Sequence, residues 1–310
     1  MTETNRASVT LGSWHIYDRM YFDDATRLIA SALDAGVSGF DVGVYDGDTP
    51  RGRSISHTDI IFGRALDLSG VDKSRVQLQL KLWLINYPEV GLREQLENAA
   101  RRINVERFDS ASIGMYLPGI NFERVLEDIA ELIADGLLGS WGSTGWPAEI
   151  QTMVDEMAKE RGLPRPQLAQ LKYNVSRRSV ADGPDYARVF AETETRLQAS
   201  HILEGGWLTG RTPERRVGED KGSILSRIQG TVPELKRIAA EFGVTPAVLA
   251  TSFVFTHPST ADVLVGVSNT EQLADVMAAR ELAATQGADI RAAVSELQQD
   301  ADVVLPGDPS

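Results

Sequence analysis

Asp34-Ala-Gly-Val-Ser-Gly-Phe-Asp-Val-Gly-Val-Tyr45 takes the chain off the end of one element, round a corner and along another. Apolar residues over 23–35 recur at helical spacing. Gly36 stands just past them, where a left-handed C-cap ends a helix. Residues 38–42, with Phe40 and Val42 alternating with polar Asp41, then read as a strand. Asp41 and Tyr45 fall at its C-terminal end.

The same sentence is repeated outward in both directions. A helical pattern at 121–135 runs into Asp135-Gly136 and a strand, and Glu241-Phe-Gly243 reads as another helix-to-strand corner. Strands are expected near 8–13, 38–42, 76–82, 109–115, 138–142, 167–172, 197–203 and 262–266. Helices are expected near 23–35, 57–67, 91–104, 121–135, 147–162, 183–193, 232–257 and 270–284. Strands separated by helix-length segments build a parallel sheet. Eight such units imply an α/β chain closed into a (β/α)8 TIM barrel, although a doubly wound sheet fits the count as well. A barrel needs about 250 residues, so the 310 residues form one domain. Segment 204–231, Gly-rich and of mixed charge, breaks the rhythm. It reads as a lid or binding loop, or as a disordered insertion. The acidic end from 300 to 310 reads as a mobile tail.

Composition narrows the chemistry. The chain has no cysteine, so disulfides, thiolate metal sites and cysteine nucleophiles are excluded. That suits a reducing, cytoplasmic setting. A net charge of -13 disfavours nucleic-acid partners. The opening MTETNRAS has no apolar core of signal-peptide length, and no apolar run is long enough for a membrane span. A small-molecule substrate is the remaining expectation.

Active sites of such barrels gather at the C-terminal ends of the strands. Strands one to four end in Trp14-His15, Asp41 with Tyr45, Lys81 with Trp83, and Tyr116. A lysine ending an apolar strand must be paired or neutral if buried. Asp41 on the neighbouring strand can pair with it, and its charge can ease ionisation of the Tyr45 phenol. The three then form a proton donor. A rim salt bridge beside an unrelated tyrosine is the other reading. Trp14, Trp83 and Trp146 stand near strand ends and could wall a pocket. His15 and His201 could face the same mouth, whereas His57 and His257 read as surface or packing residues. No close His pair suggests a metal.

Taken in order, several segments resemble the aldo-keto reductases. Ala35–Gly47 is similar to that family's signature, with Phe-Asp and then Tyr four residues on. Thr58–Leu66 resembles the following helix, and Lys81 stands where the family's lysine does. Asp135–Gly142 and Gln170-Leu-Lys-Tyr-Asn174 resemble segments about the nicotinamide. Leu203-Glu-Gly-Gly-Trp-Leu-Thr-Gly210 resembles the pyrophosphate loop, and Gly266–Gln272 the adenosine-phosphate segment. The resemblance implies carbonyl reduction with NADPH or NADH. Tyr45 would be the acid, tuned by Asp41 and Lys81. Thr144, Gln170, Leu203, Gly205, Gly210, Arg211, Ser268 and Gln272 would meet the cofactor. Four departures stand out. Tyr116 replaces the family's histidine, and Thr144-Gly145 replaces its Ser-Asn pair. Ser200 stands for the stacking aromatic, and Ser268 for the cation at the 2′-phosphate. Weak cofactor binding with little preference for NADPH follows, unless Arg211, Arg215 or Arg216 substitutes. Two rivals stay open: a cofactor-free lyase, isomerase or cyclase using Tyr45, Lys81 and Asp41, and a non-catalytic nicotinamide-binding regulator.

Overall fold

The structure, a computed structural model, describes residues 7–45, 55–212 and 220–304. Its strands are β1 (Ser8–Gly12), β2 (Gly39–Gly43), β3 (Gln77–Trp83), β4 (Phe108–Gly114), β5 (Leu138–Thr144), β6 (Leu168–Lys172), β7 (Arg196–Ser200) and β8 (Thr260–Val265). They pair in sequence order, all parallel, and β8 closes on β1. The expected (β/α)8 barrel is therefore formed. Around it lie α1 (Phe22–Asp34), α2 (Thr58–Leu68), α3 (Leu92–Ile103), α4 (Phe122–Ala134), α5 (Ala148–Glu160), α6 (Pro184–Glu192), α7 (Ile224–Glu241), α8 (Pro246–Val254) and α9 (Thr270–Ala293).

Strand alternation sorts the core into two layers. Phe40, Val42, Leu80, Leu82, Ala169, Leu171, Leu197, Ala199 and Val263 are buried. The residues between them meet across the barrel instead. Gln79 of β3 and Gln198 of β7 share hydrogen bonds of 3.3 and 2.7 Å although their strands are not neighbours. The apolar sides thus face the helices, and a polar layer fills the interior. A buried polar layer is stable only when its members satisfy one another.

Three expectations are corrected. The helix expected over 232–257 is two helices. Gly243 ends α7 at φ +68°, and Thr245 caps α8 by accepting from Val248 N, with Pro246 in the first turn. The Gly243 corner therefore joins helix to helix, not helix to strand. The seventh strand stops at Ser200, because His201 turns to φ +55°. The stretch expected as loop to 231 is partly helical: 204–209 form a short helix and α7 begins at Ile224. Residues 213–219 of that stretch, and 305–310 of the tail, lie outside the described residues. Asp300, where the tail begins, is buried and accepts from Arg178 N and Ser179 N, both at 2.9 Å. No helix among the described residues is long and apolar enough to cross a membrane.

His57 is exposed at the start of α2, and His257 is a buried packing residue. His257 Nδ1 accepts from Ser259 N at 3.1 Å, which leaves Nε2 to donate to Ala181 O at 3.2 Å. Burial pushes this imidazole below its usual pKa, and Asp182 pulls the other way. A depressed folded pKa contributes stability that is present above the unfolded value, about 6.5, and lost as pH falls. Melting temperature should therefore drop between about pH 7 and pH 5. His257→Gln should flatten that drop in calorimetry, and an unchanged slope would refute this source.

Candidate active site

Strand register sets the first contact. Gly43 of β2 lies opposite Lys81 of β3. Tyr45, two residues beyond, folds its ring back onto Gly43. A Cβ at position 43 would stand 2.8 Å from Tyr45 Oη and 2.9 Å from Cζ. Only a residue with no side chain leaves room for the ring. The phenol hydroxyl thus rests on the backbone position paired with Lys81. Tyr45 is itself buried, and its carbonyl accepts from Ser56 N at 2.9 Å.

Lys81 is buried in the polar layer. Its Nζ donates to Gln170 Oε1 at 2.6 Å, Ser112 Oγ at 3.2 Å and Thr144 Oγ1 at 3.3 Å. Asp41 Oδ2, equally buried, lies 3.5 Å away. Four acceptor atoms, one of them a carboxylate oxygen, thus face the buried amine. Aromatic rings flank the phenol. Trp14 has its ring centroid 6.3 Å from that of Tyr45, and Trp83 stands edge-on at 6.2 Å.

Residues 8–295 match the model of the aldo/keto reductase family. The chain belongs to that family. It is also similar to two curated proteins. One is a putative voltage-gated potassium channel subunit beta of Schizosaccharomyces pombe, 22% identical over 89% of this chain and 85% of that protein. The other is a probable voltage-gated potassium channel subunit beta of Oryza sativa subsp. japonica, 24% identical over 89% of this chain and 88% of that protein.

Within this member of the family the remaining candidates spread more widely. Tyr116 is half-buried beyond β4. Its ring stacks on Phe122 with centroids 6.3 Å apart and planes 7° apart. Trp146 is fully buried and packs against Phe122 and Trp141. It lies behind the Tyr116 platform. His15 is buried, with Nδ1 3.4 Å from Asp18 Oδ2 and its ring 5.3 Å from Trp14. His201 is half-buried after β7, and its carbonyl accepts from Asn174 Nδ2 at 3.0 Å. Among the described residues no group of three or more His, Cys, Asp or Glu could hold a metal ion.

The residues aligned with cofactor contacts occupy three regions. Thr144 Oγ1 is hydrogen-bonded to Ser112 Oγ and Lys81, and Gln170 joins the same cluster. Gly145 has φ +61° and donates its N–H to Gln170 O at 3.0 Å. Ser200 Oγ donates to Leu171 O. The second region is the turn after β7. Leu203 is followed by Glu204, Gly205 and Gly206 with φ of +49°, +66° and +113°, and Gly210 closes it at +81°. The N–H groups of Glu204, Gly206, Leu208, Gly210 and Arg211 donate to nearby carbonyls, so the turn is held by its own backbone. Arg211 is exposed beside it, and Arg215 and Arg216 lie outside the described residues. The third region is the start of α9. Ser268 N and Oγ both donate to Gln272 Oε1, and Asn269 caps the helix on Gln272 N. A helix N-terminus favours negative charge. The start of α9 and the polar groups beside Lys81 are the features of these regions that suit a dinucleotide.

One buried ion pair was not singled out from the sequence. Arg177 Nε donates to Glu204 Oε1 at 2.7 Å and Nη2 to Oε2 at 3.3 Å, and Asn174 Nδ2 donates to Oε1 at 2.8 Å. The two charged side chains are 5% and 1% exposed, so the pair ties the left-handed turn to the segment after β6. Glu204 lies inside the quoted 203–210 loop. Nothing local in the sequence marks its partner.

Proposed function

We propose that the chain is a nicotinamide-dependent oxidoreductase that reduces a carbonyl, or conjugated carbonyl, of a small organic substrate. The observation that carries this reading is the Tyr45 ring resting on Gly43, opposite Lys81. Lys81 holds a positive charge near the phenol and stabilises the phenolate left after proton donation. Asp41 keeps that charge on Lys81. Tyr45 protonates the substrate oxygen as general acid. Tyr116 offers an O–H to orient that oxygen, and Trp14 and Trp83 wall the apolar part of the substrate. His15, His201 and Trp146 line or support the same mouth. A bound NADH or NADPH would supply the hydride. Leu203, Gly205, Gly210 and Arg211 would hold its pyrophosphate. Thr144 and Gln170 would meet its nicotinamide end, and Ser268 and Gln272 its adenosine phosphate.

Ser268 brings no charge to a 2′-phosphate, and a lost charge-assisted hydrogen bond costs about 1.5–3 kcal/mol. Titration of NADH and NADPH, followed by tryptophan fluorescence, should show weak binding and little preference between them. Tight NADPH binding that survives replacement of Arg211, Arg215 and Arg216 by Ala would refute the role given to Ser268. No binding of either nucleotide would replace this reading with cofactor-free proton transfer at Tyr45.

A further inference from the structure

We infer that Asp262, at the foot of the barrel, is a positioning residue for Lys81 and acts through two buried carboxamides, those of Gln198 and Gln170. The inference rests on the reading of Lys81 as the group that tunes Tyr45.

Polarity carries the argument. An ammonium only donates, so Gln170 must turn its Oε1 to Lys81, at 2.6 Å. That leaves Gln170 Nε2 as the group facing β7, where it donates to Gln198 Oε1 at 2.7 Å. Gln198 must then present its Nε2 onward. It donates to Asp262 Oδ2 at 2.7 Å, and to Gln79 Oε1 at 2.7 Å on a side branch. A carboxylate is an acceptor, so the line has one direction from both ends. Reversing either amide would set donor against donor and acceptor against acceptor. In a dry interior such mismatches are costly. All four side chains are buried, and they come from β3, β6, β7 and β8. Ser8 Oγ anchors the far end by donating to Asp262 Oδ1 at 2.5 Å.

Charged and titratable groups reach the layer of Lys81 from neighbouring strands. Asp41 approaches from β2, with Tyr45 beyond that strand, and Asp262 stands on β8. Lys172 shares the face of β6 with Gln170, one pleat nearer the mouth. The other strands contribute Thr10, Ser112, Thr144 and Gln198, which carry no charge. Burial, with Asp41 as a further cause, raises the Asp262 carboxyl, and its hydrogen-bond donors oppose this. The donors on Asp262 are thus part of what holds it as an acceptor.

The test reads Lys81 directly. The chain's lysines are Lys73, Lys81, Lys159, Lys172, Lys221 and Lys236, so isotope-labelled lysine gives a short NMR spectrum, and Lys81→Met assigns the signal. Gln198→Met breaks the line without changing charge. It should speed proton exchange at the Lys81 ammonium by about tenfold or more and lower its titration midpoint by about half to one pH unit. Asp262→Asn keeps an acceptor for Gln198 Nε2 but removes the charge behind it, so it should move both in the same direction by less, whereas Gln79→Met should leave both near wild type. An unchanged Lys81 signal in Gln198→Met overturns the proposal. If that variant does not fold, the isosteric Asp262→Asn carries the test in two backgrounds. With Gln170→Met, the line no longer reaches Lys81, so the Asp262 effect should vanish. An equal effect there would mark direct charge action and also overturn the relay. None of these signals requires turnover. Shifted Lys81 signals in a protein whose Tyr45 has no catalytic part would uphold the relay and reject the reductase reading.

Discussion

Tyr45→Phe is expected to lower turnover by about 100- to 10,000-fold, the usual contribution of a positioned general acid, while ligand affinity stays close to wild type. The ring keeps its packing between Trp14 and Trp83, and only the O–H is lost. Gly43→Ala tests the same group by geometry. Its methyl would meet Tyr45 Oη at 2.8 Å, so the ring must leave its seat with its hydroxyl intact. Turnover should fall in this variant too. Lys81→Met should lower turnover and move the alkaline limb of the pH profile. Steady-state rates with measured ligand affinities separate these effects. Near-normal turnover in Tyr45→Phe would defeat the proposed acid and direct attention to His15 and His201.

The Glu204–Arg177 pair should yield the largest effect on stability. Glu204→Leu leaves a buried guanidinium without that carboxylate, a loss of about 3–5 kcal/mol for pairs of this kind. Urea unfolding should show the midpoint falling accordingly. Glu204→Gln keeps an acceptor for Arg177 and Asn174 and should cost less. In the double variant Glu204→Leu with Arg177→Met, no charge of the pair remains. Much of the loss should return, since apolar replacements of buried pairs are often neutral. A Glu204→Leu protein as stable as wild type would show that the turn after β7 does not depend on this pair.

The features readable from sequence share one property, which is that neighbouring residues carry them. Gly36 and Gly136 stand just past their helices, and a short strand follows each. Asp41, Tyr45 and Lys81 could be grouped because consecutive strands pair in a parallel barrel. The boundary at Gly243 was marked too: Thr245-Pro246 is a helix-start signal, yet the apolar pattern ran on across it. The polar interior had no such mark. Gln77, Gln79 and Lys81 alternate with Leu78, Leu80 and Leu82, a pattern that suits a strand with one wet face. Here Gln79 and Lys81 find partners on β6 and β7, about ninety to one hundred and twenty residues away. Arg177 and Glu204 are likewise separated by a helix and a strand. Spacing along the chain does not encode such meetings, and only closure of the barrel makes them.

That closure has a consequence for synthesis. β1 takes part of its backbone pairing from β8, which lies some two hundred and fifty residues later. While the chain emerges from a ribosome, β1 can pair with β2 but keeps its other edge open until Val265 is out. An unpaired edge invites pairing with other chains, and contacts of such long range form late. The β1 edge that pairs with β8 therefore has no native partner until nearly the whole described chain is made, and yield in a cell should depend on chaperones that shield that edge.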